Sequence, residues 1–427
     1  MTQSTPITVA IVGAGHRSVG YANYALSHPE LMRVVAVAEP NPNRRGRVAK
    51  SHDIPPSRQF DSYTDLAARP GLVHAVINGT MDELHYASSI PLIEAGFNML
   101  LEKPIAPTEQ QVRELIKTAQ CNEVTVMICH VLRYTPFYRK IKQLLNDGAI
   151  GDTLAFTTTE SINYHHTTTP FVRGRWRQRK TNPIMLAKCC HDLDIIAWLM
   201  SDVKVRNVSS FGGLKQFRSE NAPPGSAERC LNGCEIESTC IHSARTNYIT
   251  QGLWECYAWE SIEHIENPTV EDKLESLRTD NPFGRCVWHC DNDVADHQSV
   301  LIQFENGVTA THNLFAGGAR IARTIYIVGT QGEIEGDLAD DRVTLRKPNL
   351  KPGQDYTAEH FDVRPDRTRE MLGHAGGDEN LVADFVNVVA GGQPSVSCTN
   401  IRDSLTGHLI AFAADIAMQE QRVVQLS

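Results

Sequence analysis

Between residues 7 and 131 short apolar runs alternate with helical patterns, and this alternation limits the fold more than any other feature of the chain. The runs are ITVAIVG, LMRVVAVAE, VHAVING, FNMLLE and EVTVMICHV. Strands separated by helix-length connections cannot close as hairpins and pair in parallel through crossovers, which predicts a doubly wound α/β unit over residues 1–130. Beyond about residue 150 the period changes. TLAFTTTESIN, VKVRNVSSF, SVLIQFENGVTATHNLF, RTIYIVGT and DRVTLRK are β-rich, and Asn306-Gly307 stands where a hairpin would turn. Residues 131–427 are therefore predicted to form an α+β unit with a mostly antiparallel, open-faced sheet. Within it, residues 215–285 have few apolar runs and many Cys, Pro, Asn and Glu, and read as a long insertion. NLVADFVNVVAGG and SLTGHLIAFAADIAM read as amphipathic helices that close the fold. A length of 427 residues suits two domains.

Charge and cysteine usage narrow the function classes. The 41 Lys+Arg against 50 Asp+Glu give a net charge of −9 with no basic tail, which argues against a nucleic-acid partner. The stretch MTQSTPITVAIVGAG has no cationic, cleavable apolar leader, and no run reaches the roughly 18 apolar residues of a membrane span. The expectation is a cytoplasmic protein without a membrane partner. Eleven cysteines, an odd count with an adjacent pair, suit reduced thiols better than a disulfide framework.

The first run ends in GAGHRSVG, with Gly13, Gly15 and Gly20 opening a helix and Ser18 where a third motif glycine would stand. Such a turn brings backbone close to a pyrophosphate and aims helix amides at it. The second run ends in Glu39, a carboxylate that would accept from a ribose 2'-hydroxyl and repel a 2'-phosphate, favouring NAD over NADP. Arg44, Arg45 and Arg47 follow it, either as a solvated face or turned toward such a phosphate.

GAGHR at 13–17, the acid at 39 and above all LLEKPIAP at 100–107 resemble the glucose-fructose oxidoreductase, inositol dehydrogenase and MocA family. His85 in NGTMDELHYA and the segment HVLRYTPFYRKIKQLLNDGAIG are also similar to that family. The resemblance implies a Rossmann domain followed by a substrate and oligomerisation domain, binding NAD through Gly13, Gly15, His16, Arg17, Glu39, Thr80, His85, Glu102 and Lys103. It further implies that Lys103 is the acid-base group at a substrate hydroxyl, where partial burial beside a cationic nicotinamide would disfavour the ammonium. Arg133 and Tyr134 of the crossing segment would line the substrate.

MLAKCCHDLD at 185–194 lies in a helical pattern with Leu186, Leu193, Ile196 and Met200 as its core stripe. Lys188, His191 and Asp194 share the opposite face at three-residue spacing, while Cys189 and Cys190 diverge and read as small buried hydrophobes. In the family this helix carries an Asp four residues before the catalytic His; here that position is Ala187, and Lys188 stands beside it with the opposite charge. A cation there, with Arg173, Arg175, Arg177, Arg179 and Lys180 around Trp176 and after Tyr164 and His166, would suit an anionic sugar. RCLNGCEIESTCIH offers Cys230, Cys234, Cys240 and His242, which Cys256, Cys286 or Cys290 could complete as a structural zinc site; thiols packed in a loop are the alternative. Asp291, Asp293, Asp296, His297, His374 and Asp378 are further candidates for the cleft. The reading is an NAD(P)-dependent oxidoreductase acting at a ring carbon of a sugar, forming a dimer or tetramer. The alternatives are an NAD-dependent glycosidase working by transient oxidation and a silent dinucleotide-binding sensor.

Overall fold

A computed structural model describes residues 5–201, 203–365 and 374–426. The first sheet contains β1 (Ile7–Val12), β2 (Met32–Ala38), β3 (Gln59–Phe60), β4 (Ala75–Asn78), β5 (Asn98–Leu101) and β6 (Val126–Ile128). They lie in the order β3-β2-β1-β4-β5-β6, all parallel. Because successive side chains point to opposite faces, β1 serves two cores. Val9 and Ile11 join Tyr21 and Tyr24 on one face, while Ala10 and Val12 join Leu92 and Leu115 on the other. Helix α1 (His16–Ala22) covers the first face; α2 (His85–Glu94) and α3 (Glu109–Cys121) cover the second. The order reverses between β1 and β4, so the turns that follow these strands part and open a crevice at their carboxyl ends.

The second sheet has nine strands: β7 (Thr153–Asn163), β8 (Val205–Gly213), β9 (His297–Phe304), β10 (Thr309–Gly318), β11 (Ala322–Gly329), β12 (Gly332–Asp337), β13 (Arg342–Pro348), β14 (Tyr356–Asp362) and β15 (Val424–Gln425). Their order is β14-β13-β12-β11-β7-β10-β9-β8-β15, antiparallel except for the parallel pair β7–β10. The hairpin between β9 and β10 closes with Gly307 at φ +90°, a value that favours glycine. One face is packed against α4 (Ile184–Ala187), α5 (Cys190–Leu199) and α7 (Leu405–Glu420). The other is open and carries Phe211, Leu301 and Phe315, each at least half exposed. Between α5 and α7 in the chain, α6 (Gly377–Val389) crosses back: Leu381, Val382 and Phe385 belong to the core of the first sheet, although they lie far beyond residue 130.

The chain from 214 to 296, between β8 and β9, forms a strand-poor lobe around Tyr248, Trp259, Leu277 and Phe283. Among the described residues no helix is long and apolar enough to cross a membrane.

Candidate active site

The turn after β1 is shaped for close backbone approach. Gly13 has φ +77°, and a Cβ there would stand 2.9 Å from Thr80 N and 3.0 Å from Gly79 O. Gly15 meets nothing within 4 Å except Gly79 O at 4.0 Å, so the start of α1 faces open space. Ser18, at the absent third glycine, is accommodated from the other side. A Cβ on Gly79 would collide with its Oγ, so glycine in the β4 turn restores the close helix-to-strand packing. Glu39 is buried at the end of β2 and accepts from Ala14 N at 2.7 Å and Asn41 N at 2.8 Å. Arg44 and Arg47 turn to Glu263 of the lobe, at 2.9 and 3.1 Å, and Arg45 to Asp61 at 2.8 Å. The basic run is thus neutralised by carboxylates. A 2'-phosphate arriving at Glu39 would meet Glu263 as well, and a 2'-hydroxyl would be welcome.

After β5, Glu102 is the buried hub of a second group. It accepts from Arg17 Nε, Tyr21 OH and the Lys103 amide, each at 2.9 Å. Arg17 also reaches Asp378 at 2.8 Å, whose other oxygen accepts from His374 Nδ1 at 3.0 Å. Burial alone would raise Glu102, but Arg17 and Lys103 outweigh it and hold the carboxyl below its usual range. Asp378, also opposed by burial, is drawn down to about 2 by His374 and Arg17. His85 is buried with its nitrogens facing Pro104 O at 2.6 Å and Thr80 O at 3.1 Å, so it braces the EKP turn against the β4 loop from beneath. Thr80 Oγ1 is held by Asn78 Oδ1 at 3.0 Å.

Lys103 projects across the crevice and donates from Nζ to Ala187 O at 3.1 Å. The expected continuous helix is interrupted there: Lys188 has φ −113°, and Cys189 N bonds Ile184 O, five residues back, at 3.3 Å. Every residue of α5 is buried, and its polar side chains face different directions, with His191 Nδ1 and Asp192 Oδ2 buried without a hydrogen-bond partner. His191 faces His130 and His374, with ring centroids 5.7 and 6.2 Å away. Burial first, then Lys103, His130 and His374, push its pKa well below the ordinary imidazole value, leaving a neutral ring. Lys188 instead meets Glu160 at 3.1 Å and His166 Nε2 at 3.4 Å. Arg323 completes this buried group, 2.5 Å from Glu160 and 3.0 Å from Asp192. Burial favours the neutral forms of both Glu160 and Lys188 while their mutual attraction opposes it. Asp194 lies on neither side of the crevice; it takes a two-pronged bond from Arg133 at 2.6 and 2.7 Å, with both side chains about 1% exposed. The expected shared face of Lys188, His191 and Asp194 is therefore corrected to three separate environments, because the helix breaks and then runs fully buried.

Several expected substrate contacts are placed elsewhere. Arg133 is consumed by Asp194, and Tyr134 donates to Asp384 at 2.9 Å. Arg173 is buried inside the lobe. Arg175 pairs with Glu260, Arg177 with Asp291 at 2.7 Å and Arg179 with Asp415 at 2.6 Å, so these charges are answered within the protein. Trp176 is tied to Asp82 at 2.8 Å and meets Tyr257 edge-on. Tyr164 stands edge-on to His165 and His242, and His166 packs under Trp254 at 4.8 Å. The lobe thus roofs the crevice through Trp254 and Tyr257. Asp296 accepts from the Lys215 and Gln216 amides and faces His297; Asp293 holds Arg179 N. Cys189 and Cys190 are buried, and Cys189 lies near Asp192 and His312. A groove of about 950 Å³ lined by Ile116, Trp198 and Val396 contains none of Lys103, His191 or His374.

Sequence reasoning missed Glu160 and Arg323. The signal was present: on β7, Glu160 keeps the parity of Phe156, Thr158 and Ile162, and on β11 Arg323 keeps that of Ile325 and Ile327. Charges on an inward face mark a built polar site.

Two family descriptions cover nearly the whole chain: the oxidoreductase family NAD-binding Rossmann fold over residues 7–130, and the oxidoreductase family C-terminal alpha/beta domain over residues 142–426. The chain belongs to the Gfo/Idh/MocA oxidoreductase family. It is an NAD(P)-dependent oxidoreductase, and its first domain matches the NAD-binding Rossmann fold of that family. It is 22% identical over 340 residues to YteT of Bacillus subtilis (strain 168), named as an oxidoreductase, covering 77% of this chain and 76% of that one. It is 34% identical over 145 residues to the 2,7-anhydro-N-acetylneuraminate hydratase of Mediterraneibacter gnavus, covering 34% of this chain and 37% of the relative. The inositol dehydrogenase homolog of Azotobacter vinelandii, solved with NADH and myo-inositol, shares the fold with a TM-score of 0.67 at 14% identity over 99% of this chain and 98% of that one.

Proposed function

We propose that this family member oxidises a secondary hydroxyl on a polyhydroxylated, sugar-like ring, with Lys103 and His191 managing the protons. The observation that carries the reading is that Lys103, from the end of β5, donates to Ala187 O at 3.1 Å, at the helix break that leads into His191, whose ring burial and nearby cations keep neutral. Bound NAD supplies the hydride acceptor. Lys103 in its amine form takes the hydroxyl proton as the carbon gives up hydride, and the hydroxyl oxygen becomes a carbonyl. His191, held neutral, accepts a hydrogen bond from the same or the adjacent hydroxyl and keeps the ring oriented. Trp254 and Tyr257 close the roof and exclude water. With Glu160 answering Lys188 and carboxylates answering Arg175, Arg177 and Arg179, the charge balance supports a neutral ring over an anionic one. The inositol dehydrogenase homolog solved with a cyclic polyol supports the same substrate class.

A second reading has its own support in the likeness to a hydratase of an anhydro sugar and in Ala187, which removes a carboxylate from the helix. In it, oxidation acidifies the neighbouring C–H, a base takes that proton as the substituent leaves, water adds to the resulting double bond, and the hydride returns to the carbonyl carbon. One assay separates the two: enzyme and NAD with free sugars, cyclic polyols, uronates and aryl glycosides, following both NADH absorbance and aglycone release. Net NADH on neutral rings supports the first reading, and aglycone without net NADH supports the second. Silence across the panel would leave neither standing and favour a dinucleotide sensor. The open apolar face of the second sheet further supports self-association with a second copy of the chain.

A further inference from the structure

The lobe between β8 and β9 contains a cluster of thiols that the redox reading does not use. Segments 228–230 and 284–286 pair as a short antiparallel bridge, Cys230 N to Gly284 O at 3.0 Å and Cys286 N to Glu228 O at 2.9 Å, which places Cys230 and Cys286 diagonally across it. The chain then loops through Cys234 and Cys240. All four cysteines line one narrow cavity with Arg173 and His242. None is in a disulfide.

A second, independent observation concerns Arg173. It is fully buried, and its guanidinium donates to Arg285 O and His242 O at 2.7 Å and points to Cys230 Sγ at 3.4 Å. Among the described residues no carboxylate pairs with it. A buried cation without a paired carboxylate is unfavourable, and the ionisable groups that face it are the Tyr248 hydroxyl, at 3.3 Å, and the thiols of a cavity that Glu237 also lines. The lobe also has only a small apolar cluster and no sheet of its own, the kind of segment that needs a staple.

We propose that Cys230, Cys234, Cys240 and Cys286 hold a four-thiolate centre of the iron–sulfur type. Each thiol binds as a thiolate and releases its proton to solvent, and Arg173 offsets the net negative charge. The spacing decides against a single zinc ion. Zinc at about 2.3 Å from each sulfur needs sulfurs about 3.8 Å apart, whereas among the described residues the only three-donor group within 4.8 Å is Cys189, Asp192 and His312. The centre sits where it would fix the roof, since Trp254, Tyr257 and Glu263 all lie between ligands Cys240 and Cys286 in the chain.

The test is elemental analysis of the full-length protein purified without oxygen, with iron, acid-labile sulfide and zinc measured per chain and the visible spectrum recorded. The expected result is about four iron and four sulfide per chain with broad absorption near 400 nm. It should fall at least about tenfold in Cys286→Ser and stay unchanged in Cys121→Ser, whose thiol is exposed on α3. Zinc at one per chain overturns the iron–sulfur assignment. Wild-type protein without metal, even after anaerobic incubation with ferrous iron, sulfide and dithiothreitol, overturns the site altogether, and neither result depends on a variant folding.

Discussion

Two charge clusters flank Lys103, and they differ in how they are built. On the cofactor side Arg17, Glu102, His374 and Asp378 sit at a crevice edge, with the Arg17 side chain 21% exposed. On the sheet side Glu160, Lys188, Arg323 and Asp192 lie deeper, with Glu160 at 0% and Lys188, which faces the crevice, at 13%. The first cluster retains some hydration and has a spare carboxylate, so losing one member is tolerable. The second balances two cations against two anions in a low-dielectric interior, where removing one member strands the rest. The edge cluster suits a site that binds and releases a cofactor, and the deeper one suits a rigid wall that fixes Lys188 and His166 at the crevice.

The largest effect is expected at the group between the clusters. Lys103→Met should reduce kcat by about 10²–10⁴-fold while leaving NAD affinity, read by fluorescence quenching, within a few-fold. Equal losses in both would make Lys103 a cofactor anchor and dissolve the division of labour. Next, Glu160→Gln should destabilise the fold by about 3–5 kcal/mol in urea unfolding. Glu102→Gln should lose less, about 1–2 kcal/mol, because Arg17 keeps Asp378. A reversed order would contradict the contrast between edge and interior.

Acid should sharpen the same contrast. Burial holds His312 down to about 4 and His408 down to about 3, while in the unfolded chain both take up protons near 6.5. Below about pH 6.5 the unfolded state therefore binds more protons than the native one, and stability falls as pH falls, down to the folded values. Thermal unfolding from pH 7.5 to 4.5 should show a steady decline worth a few kcal/mol, roughly, and His312→Asn should flatten it. The smallest effect per chain concerns the open sheet face: Phe211→Lys with Leu301→Lys should shift the protein to monomer by light scattering with little change in Tm.

Much of this layout was legible in the residues, for particular reasons. The β1 turn, the EKP corner and Glu39 are local motifs whose chemistry lies within a few residues, and the alternation of apolar runs located most strands of both sheets. Short strands such as Gln59–Phe60, and β12, whose glycines dilute the alternation, carried too little pattern to find. The helix break at Lys188 could not be read, since Ala, Lys and Cys all suit a continuous helix and the kink is imposed by packing around α5. Arg133 and Asp194 each looked functional alone; that they neutralise one another, 61 residues apart, is a tertiary fact. The arginines of the 173–179 loop looked like an anion grip for the same reason, their carboxylate partners being far away in the chain.

Lys103 and His191 are proposed to meet at one reacting hydroxyl. A crystal structure of the protein with NAD and a cyclic polyol tests it most directly. The expected result is a ring hydroxyl within about 2.6–3.2 Å of Lys103 Nζ, on the carbon that faces the nicotinamide, with His191 bonded to that hydroxyl or its neighbour. A polyol seated elsewhere, with Lys103 still bound to Ala187 O and His191 touching only its histidine neighbours, would contradict it.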